Sequence, residues 1–330
     1  MNKIKKYEKY ANWLIVGGLV ILGLSTLLFL FKTTVLNFGL EIDSNIFDHF
    51  GSFIGGLLGA FFSLAGVYLL ILNLKSQEID IQKQQIENRF FELIKIHREN
   101  CNEIKLQDKK GREVFKWLQK EFYKCYEIAK SVSDKSENKF SEREIINIAY
   151  ISFFFGAVGE YSSKTVKSNL ASVEEKDSSF LKELLTEFEN QKEPLKQKGN
   201  FPYKLFDGHQ FRLGHYYRHL YQTVKYINEQ PNHILNYEAK YQYIKTLRAQ
   251  LSTQEQVLLF FNSLSKLGKN WEMDNLLTEN GKLITKYNFI KNIPEGYVSY
   301  FALKNYFPDV KYEGQEENTD SKKEKIKQYR

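Results

Sequence analysis

Two long runs without charge constrain this chain more than any other feature. Neither Trp13 to Phe31 nor Phe50 to Leu74 contains Asp, Glu, Lys or Arg. At 1.5 Å per residue the first run, about 19 positions, reaches roughly 28 Å, close to the ~30 Å hydrocarbon core of a bilayer. The second is longer and spans with tilt or projects beyond the core. A mean hydropathy of -0.45 reads as soluble only because the polar remainder is averaged with these segments. We therefore expect a mainly α protein, with a transmembrane hairpin at residues 1–74 (spans about 13–31 and 50–74) followed by a helical cytoplasmic domain.

The basic residues set the orientation. Lys3, Lys5, Lys6 and Lys9 precede the first run, Lys75, Lys83 and Arg89 follow the second, and Lys32 alone marks the connection. Cytoplasmic loops carry the excess of Lys and Arg, so both termini are expected in the cytoplasm of a bacterial cell, with the chain in its inner membrane. A cleaved signal peptide is the competing reading of the first run. The run exceeds a typical signal core, and Phe29, Leu30, Phe31 and Lys32 offer no small-residue cleavage site. In the second run Gly51, Gly55, Gly59 and Ser63 recur every four residues, which places them on one helical face where another backbone can approach closely. Such a ladder serves either self-association in a homo-oligomer or packing against the first span.

Beyond the second run, Ile79, Ile86, Phe90, Leu93, Ile94, His97, Cys101 and Ile104 recur at helical intervals, so one helix is expected to run on to about Leu106 or to break near Lys75 to Gln77. Val114, Phe115, Leu118, Phe122 and Tyr126 mark another helix. The apolar run from Ile145 to Val158 suits a buried core helix better than a third span. Ser131 to Lys139 reads as a loop. Glu193 to Gly208, with two prolines and two glycines, reads as the clearest break and a candidate subdivision of a domain covering residues 75–311. Helices are expected over about 209–228, 234–251 and 254–267, the last opened by a Ser252/Glu255 capping box and stopped by Gly268. Residues 312–330 are charged and poor in apolar side chains, as in a flexible tail.

The chemistry-bearing residues are few. Cys101 and Cys125 are too far apart for a CxxC motif and suit buried thiols in a reducing compartment. The net charge of +7 is spread over Lys interleaved with Glu and Asp and reads first as solvation. His215 and His219 stand four apart, a spacing open to joint metal ligation. Tyr216 occupies the place of the glutamate in HExxH and further ligands are lacking, with Asp207 and His209 near in sequence only, so no metal and no cofactor are expected. His97, Arg98 and Asn100 form a polar cluster on the long helix, and with His215 and Arg218 they are candidate functional residues beside the bland reading of His97 as a core histidine. No Walker A, GxGxxG or GxSxG pattern occurs.

The chain resembles the phage abortive infection proteins called AbiC-like. The resemblance rests on Phe50-Gly51-Ser52-Phe53-Ile54-Gly55-Gly56, on Asn88-Arg89-Phe90-Phe91-Glu92-Leu93 and Ile96-His97-Arg98-Glu99-Asn100, on Gly214-His215-Tyr216-Tyr217-Arg218-His219-Leu220-Tyr221, and on Leu247-Arg248-Ala249-Gln250-Leu251-Ser252. It implies a membrane-associated role in defence against phage, with the lipid bilayer and a phage-derived trigger or a defence partner as interaction partners, and it supplies no catalytic residues. Arg212 and His219, seven apart, resemble the loose Arg/His motif of HEPN-type ribonucleases, in which His shuttles a proton and a cation stabilises phosphate. In that alternative the two are catalytic and RNA is the substrate. A scaffold without effector activity is the third reading.

Overall fold

The computed structural model describes residues 2–32, 44–273, 281–294, 296–298 and 300–313. Of the connection expected over Lys32 to His49, residues 33–43 lie outside these residues and a helix already begins at Ser44; residues 314–330 of the tail expected over 312–330 also lie outside them. The chain forms two compact units, residues 1–86 and 87–330.

The first unit is built from α1 (Asn2–Lys32) and the leading part of α2 (Ser44–Glu103). Ring contacts fix their direction. Tyr7 and Tyr10 near the start of α1 each lie 6.0 Å from Tyr68, and Lys75 sits 4.5 Å over the Tyr7 ring. At the other end Phe29 stacks on Phe50 at 4.1 Å. The two helices are therefore antiparallel, as a hairpin requires. Both are long and apolar enough to cross a membrane, and only 6% of each apolar window is buried. A helix from a soluble core would bury most of that surface. Trp13, Leu28, Phe31, Phe53, Leu70 and Leu74 are exposed, whereas Ala11 and Ala65 are buried. The α2 helix continues through Lys75 to Gln77 without a break, and the division between the units falls within it.

Among the described residues the second unit is mainly helical, with one two-stranded antiparallel ribbon, β1 (Lys105–Leu106) and β2 (Lys109–Lys110), in which Lys105 pairs with Lys110. Helix α3 (Arg112–Lys135) is central, and its buried positions Val114, Phe115, Leu118, Phe122, Cys125, Tyr126 and Ala129 follow helical spacing. It packs on α4 (Glu142–Phe155), α7 (Ser178–Lys198) and α10 (Thr253–Leu264), with the Phe122 and Phe261 rings 4.1 Å apart. The short helices α5 (Glu160–Asn169) and α6 (Ala171–Lys176) lead into α7. Helix α4 covers the apolar run from Ile145 and is buried, as expected of a core helix.

Four expectations shift. Helix α3 runs to Lys135, into the segment read as a loop, because Val132 and Ser133 are buried. Pro194 lies inside α7, which ends only before Gly199, so the break in helical structure is shorter than 193–208. A proline near a helix end forfeits one backbone hydrogen bond, and the turn after it is closed by the Gly199 amide donating to the Leu195 carbonyl at 2.9 Å. Helices α8 (Gln210–Asn228) and α9 (Tyr237–Arg248) are trimmed from the expected bounds, with a turn at Pro231 to Leu235 replacing the start of the latter. Helix α10 ends at Leu264 and yields to a 3-10 turn, Lys266–Trp271, so Gly268 is not its stop. The Ser252/Glu255 capping box opens α10 as expected, and a second one, Ser141/Glu144, opens α4.

Candidate functional site

Helix α8 organises the site, and its entry is tightly determined. Gly156 after α4 and Gly208 before α8 have φ +87 and +88, and their backbones touch. A Cβ on Gly208 would meet the Phe155 carbonyl carbon at 2.6 Å. The His209 amide donates to the Phe154 carbonyl at 2.8 Å and the Ala157 amide to the Phe206 carbonyl at 2.9 Å. Beneath this crossing lies Glu121 of α3, fully buried, whose carboxylate accepts the Phe206 N–H at 2.8 Å and lies 3.0 Å from His209 Nε2. The other ring nitrogen, Nδ1, faces the Arg212 guanidinium at 3.4 Å, so these partners favour the tautomer with hydrogen on Nε2. Arg212 also donates from Nε to the Lys105 carbonyl at 2.9 Å.

With its start fixed, α8 presents two faces. Leu213, Tyr216, Tyr217, Leu220 and Val224 enter the core, while Phe211, His215, Arg218 and Gln222 line up at i, i+4, i+7 and i+11 on the exposed side. The exposed line borders a cleft of about 640 Å³, closed by Phe154 and Phe155 of α4, Asn262 of α10, and Gly268, Asn270 and Trp271 of the 3-10 turn. Phe211 is 96% exposed at its rim. Tyr221 meets Trp271 edge-on at 5.2 Å. Among the described residues that line the cleft none is acidic, whereas His215 and Arg218 are basic.

The Tyr217 hydroxyl is buried against that of Tyr150. Asn262 gives its amide nitrogen to the Tyr150 hydroxyl at 3.1 Å, while its Oδ1 is buried and, among the described residues, unpaired, at a cost of about 1–3 kcal/mol. Gly268 keeps the wall closed, since a Cβ there would lie 2.2 Å from the Asn262 carbonyl oxygen.

The opposite side of α8 holds a second cluster. His97 is buried, its ring 6.4 Å from and nearly parallel to that of His219, and neither ring nitrogen of either residue is hydrogen-bonded. Burial, with added repulsion from His219 and Arg112, pushes His97 down to about 4; burial also lowers His219, aided by His215 and Arg89. Both imidazoles are consequently neutral near pH 7. The neighbouring hub is Glu255, which accepts from Tyr216 Oη at 2.8 Å and from the Ser252 N–H at 2.7 Å, and faces Arg112 at 3.7 Å. Cys101 Sγ lies 3.6 Å from the same carboxylate, and burial together with that negative charge pushes its thiol up to about 12. Such a thiol is inert.

The sequence candidates thus separate. Arg212 and His219 take different partners: the guanidinium is tied to the carbonyl of Lys105 and to His209, whereas His219 stacks near His97. His215 and Arg218 come together on the cleft, and His97, Arg98 and Arg112 border a separate pocket of about 560 Å³. Asn100 keeps its amide nitrogen buried and unpaired. Among the described residues no three His, Cys, Asp or Glu side chains converge as a metal site. Among the described residues nothing lies within 4 Å of where a Cβ would stand on Gly51, Gly55 or Gly59, so this face of the ladder is open rather than packed on α1. Sequence reasoning missed Glu121, Phe211 and Asn262, and read Glu255 only as a helix cap. Glu121, flanked by Leu118, Phe122 and Cys125, carried a usable signal: a carboxylate on an apolar stripe demands a buried partner.

Residues 208–298 match the family described as "Putative phage abortive infection protein". The resemblance read from the sequence holds over this segment, which supplies every cleft residue except Phe154 and Phe155. No curated protein and no solved structure matches the chain.

Proposed function

We propose that this chain is a membrane-anchored abortive-infection effector, in which the helical unit responds to a phage-derived trigger or a defence partner and then acts at the membrane. The observation that carries the reading is the family match over residues 208–298 in a chain that also bears two apolar helices with exposed side chains. Residues 1–74 serve as the hairpin anchor and 75–311 as the cytoplasmic domain. Lys3, Lys5, Lys6 and Lys9 on one side, with Lys75, Lys83 and Arg89, favour cytoplasmic termini in the bacterial inner membrane. The bilayer is the first partner, and a second copy docking on the open face of Gly51, Gly55, Gly59 and Ser63 is the next.

The test combines protection with topology. Cells expressing the full chain should lower phage plating efficiency by at least about tenfold, a reporter fused after Arg330 should read as cytoplasmic, and one inserted near Asn37 should read as external. Unchanged plating removes the defence reading. A reversed reporter pattern removes the orientation.

A further inference from the structure

We infer that the α8 cleft binds a nucleotide unit, a planar base carrying a phosphate. The inference does not depend on the defence reading, because it rests on what the cleft exposes. Its rim carries Phe211, 96% exposed on the first turn of α8 and uncovered by the described residues. An aromatic side chain held this way on a helix offers a stacking platform, and Phe155, Tyr221 and Trp271 extend the aromatic surface inward. Any base has a π-face for such a surface. The basic residues on the same helix line are Arg218, the fixed cation, and His215, one turn apart, and the described lining has no acidic side chain to pair with them. Arg218 is positioned by its own helix, its Nε donating to the Gly214 carbonyl at 3.0 Å, which leaves the guanidinium edge directed by the backbone rather than by a carboxylate. A planar guanidinium of this kind suits phosphate oxygens.

The wall behind these groups is closed: the Tyr217 hydroxyl and Asn262 Oδ1 are buried within it, so stacking and the phosphate, and not the base edge, carry recognition. A purely apolar ligand would leave Arg218 unmet, and a free phosphate would leave the aromatic rim uncovered. The volume of about 640 Å³ accommodates a ligand of this size.

The same chemistry is offered by a free nucleotide and by the 5′-phosphorylated end of a single strand, and binding measurements separate the two. Full-length protein in detergent is titrated calorimetrically with the four 5′-ribonucleoside monophosphates, the matching nucleosides, inorganic phosphate, and a 5′-phosphorylated tetraribonucleotide. At least one monophosphate or the tetranucleotide should bind, the matching nucleoside should bind about tenfold more weakly, and inorganic phosphate alone should not bind. Binding of the monophosphate assigns the free ligand as sufficient; binding of the tetranucleotide alone assigns the strand end. Phe211→Ala and Arg218→Ala alter exposed side chains and should retain the far-UV spectrum and thermal midpoint. The first should weaken binding about tenfold, and the second should erase the preference for the phosphorylated form. Absence of binding by every nucleotide at millimolar concentration, or binding unaffected by both substitutions, overturns the inference.

Discussion

The two compact units use the same residue types for opposite ends. In residues 1–86 phenylalanines and leucines face outward and glycines open a helix surface; in residues 87–330 phenylalanines form the core and glycines let backbones touch. Phe53 is 61% exposed, whereas Phe122 is fully buried. The difference teaches that an apolar side chain reports its solvent, not its depth. In the second unit burial is driven by water; under the proposed membrane anchoring the bilayer would supply the first with an apolar medium, so helix contacts there would depend on close packing instead.

Substituting glycine by alanine in each unit is the strongest way to break the comparison. At Gly208 the new Cβ meets backbone at 2.6 Å and the φ of +88 disfavours any L side chain, so Gly208→Ala should destabilise the helical unit by about 3 kcal/mol or more. At Gly55 nothing lies within 4 Å, and Gly55→Ala should stay within about 0.5 kcal/mol. Denaturant unfolding of the protein in detergent, followed by circular dichroism, reads both. Equal effects at the two sites would erase the distinction between a closely packed interior and an open helix face.

Acidification sharpens it next, because the pH-sensitive imidazoles belong to the second unit. His97 is held at about 4 by burial, against 6.5 when free. Between these values the unfolded chain binds a proton that the folded one refuses, so stability falls as the pH drops from about 6.5 to 4 and flattens below. The loss attributable to His97 is at most about 3 kcal/mol. His219, also lowered, adds in the same direction. The thermal midpoint measured across this window should decline, and His97→Gln should flatten the decline; an unchanged slope in that variant would assign the effect elsewhere.

The smallest effect on folding, yet a visible one on assembly, is expected from the ladder. Gly55→Leu combined with Gly59→Leu keeps the helix apolar while raising the surface between helices, so membrane abundance should hold as crosslinked oligomers decrease. Undiminished crosslinking would leave those glycines without an assembly role.

Legibility in the sequence followed the range of the interactions. The two apolar runs, the core helix beginning at Ile145 and the Ser252/Glu255 cap are local patterns, and each is present in the fold. The Ser141/Glu144 cap was equally local but went unread beside a polar stretch that resembled a loop. Pro194 misled because it sits near the end of the helix, where a missing amide hydrogen bond costs least. The site itself was legible only in part. His215 and Arg218 stood out on α8, but their surroundings required Phe154, Asn262 and Trp271 from separate elements. Glu121 and His209 are 88 positions apart, and Cys101 and Glu255 are 154 apart; no periodicity within one helix encodes such pairs. The spacing of Arg212 and His219 implied a shared face, yet Arg212 folds back toward the start of α8, where the Lys105 carbonyl holds it.

The central claim is that a cytoplasmic helical unit acts through its membrane anchor, and the membrane potential during infection tests it most directly. Cells expressing the full chain would carry a potential-sensitive dye and be followed singly after phage addition, alongside cells expressing Gln82→Pro or Gln82→Ala. Position 82 lies inside α2, where proline removes a backbone hydrogen bond at a cost of about 3 kcal/mol and alanine preserves the helix. The account predicts that, at equal membrane abundance, infected cells with the native chain or the alanine variant depolarise before phage release, while the proline variant neither depolarises nor protects. Full protection with an undisturbed potential in all three would contradict it.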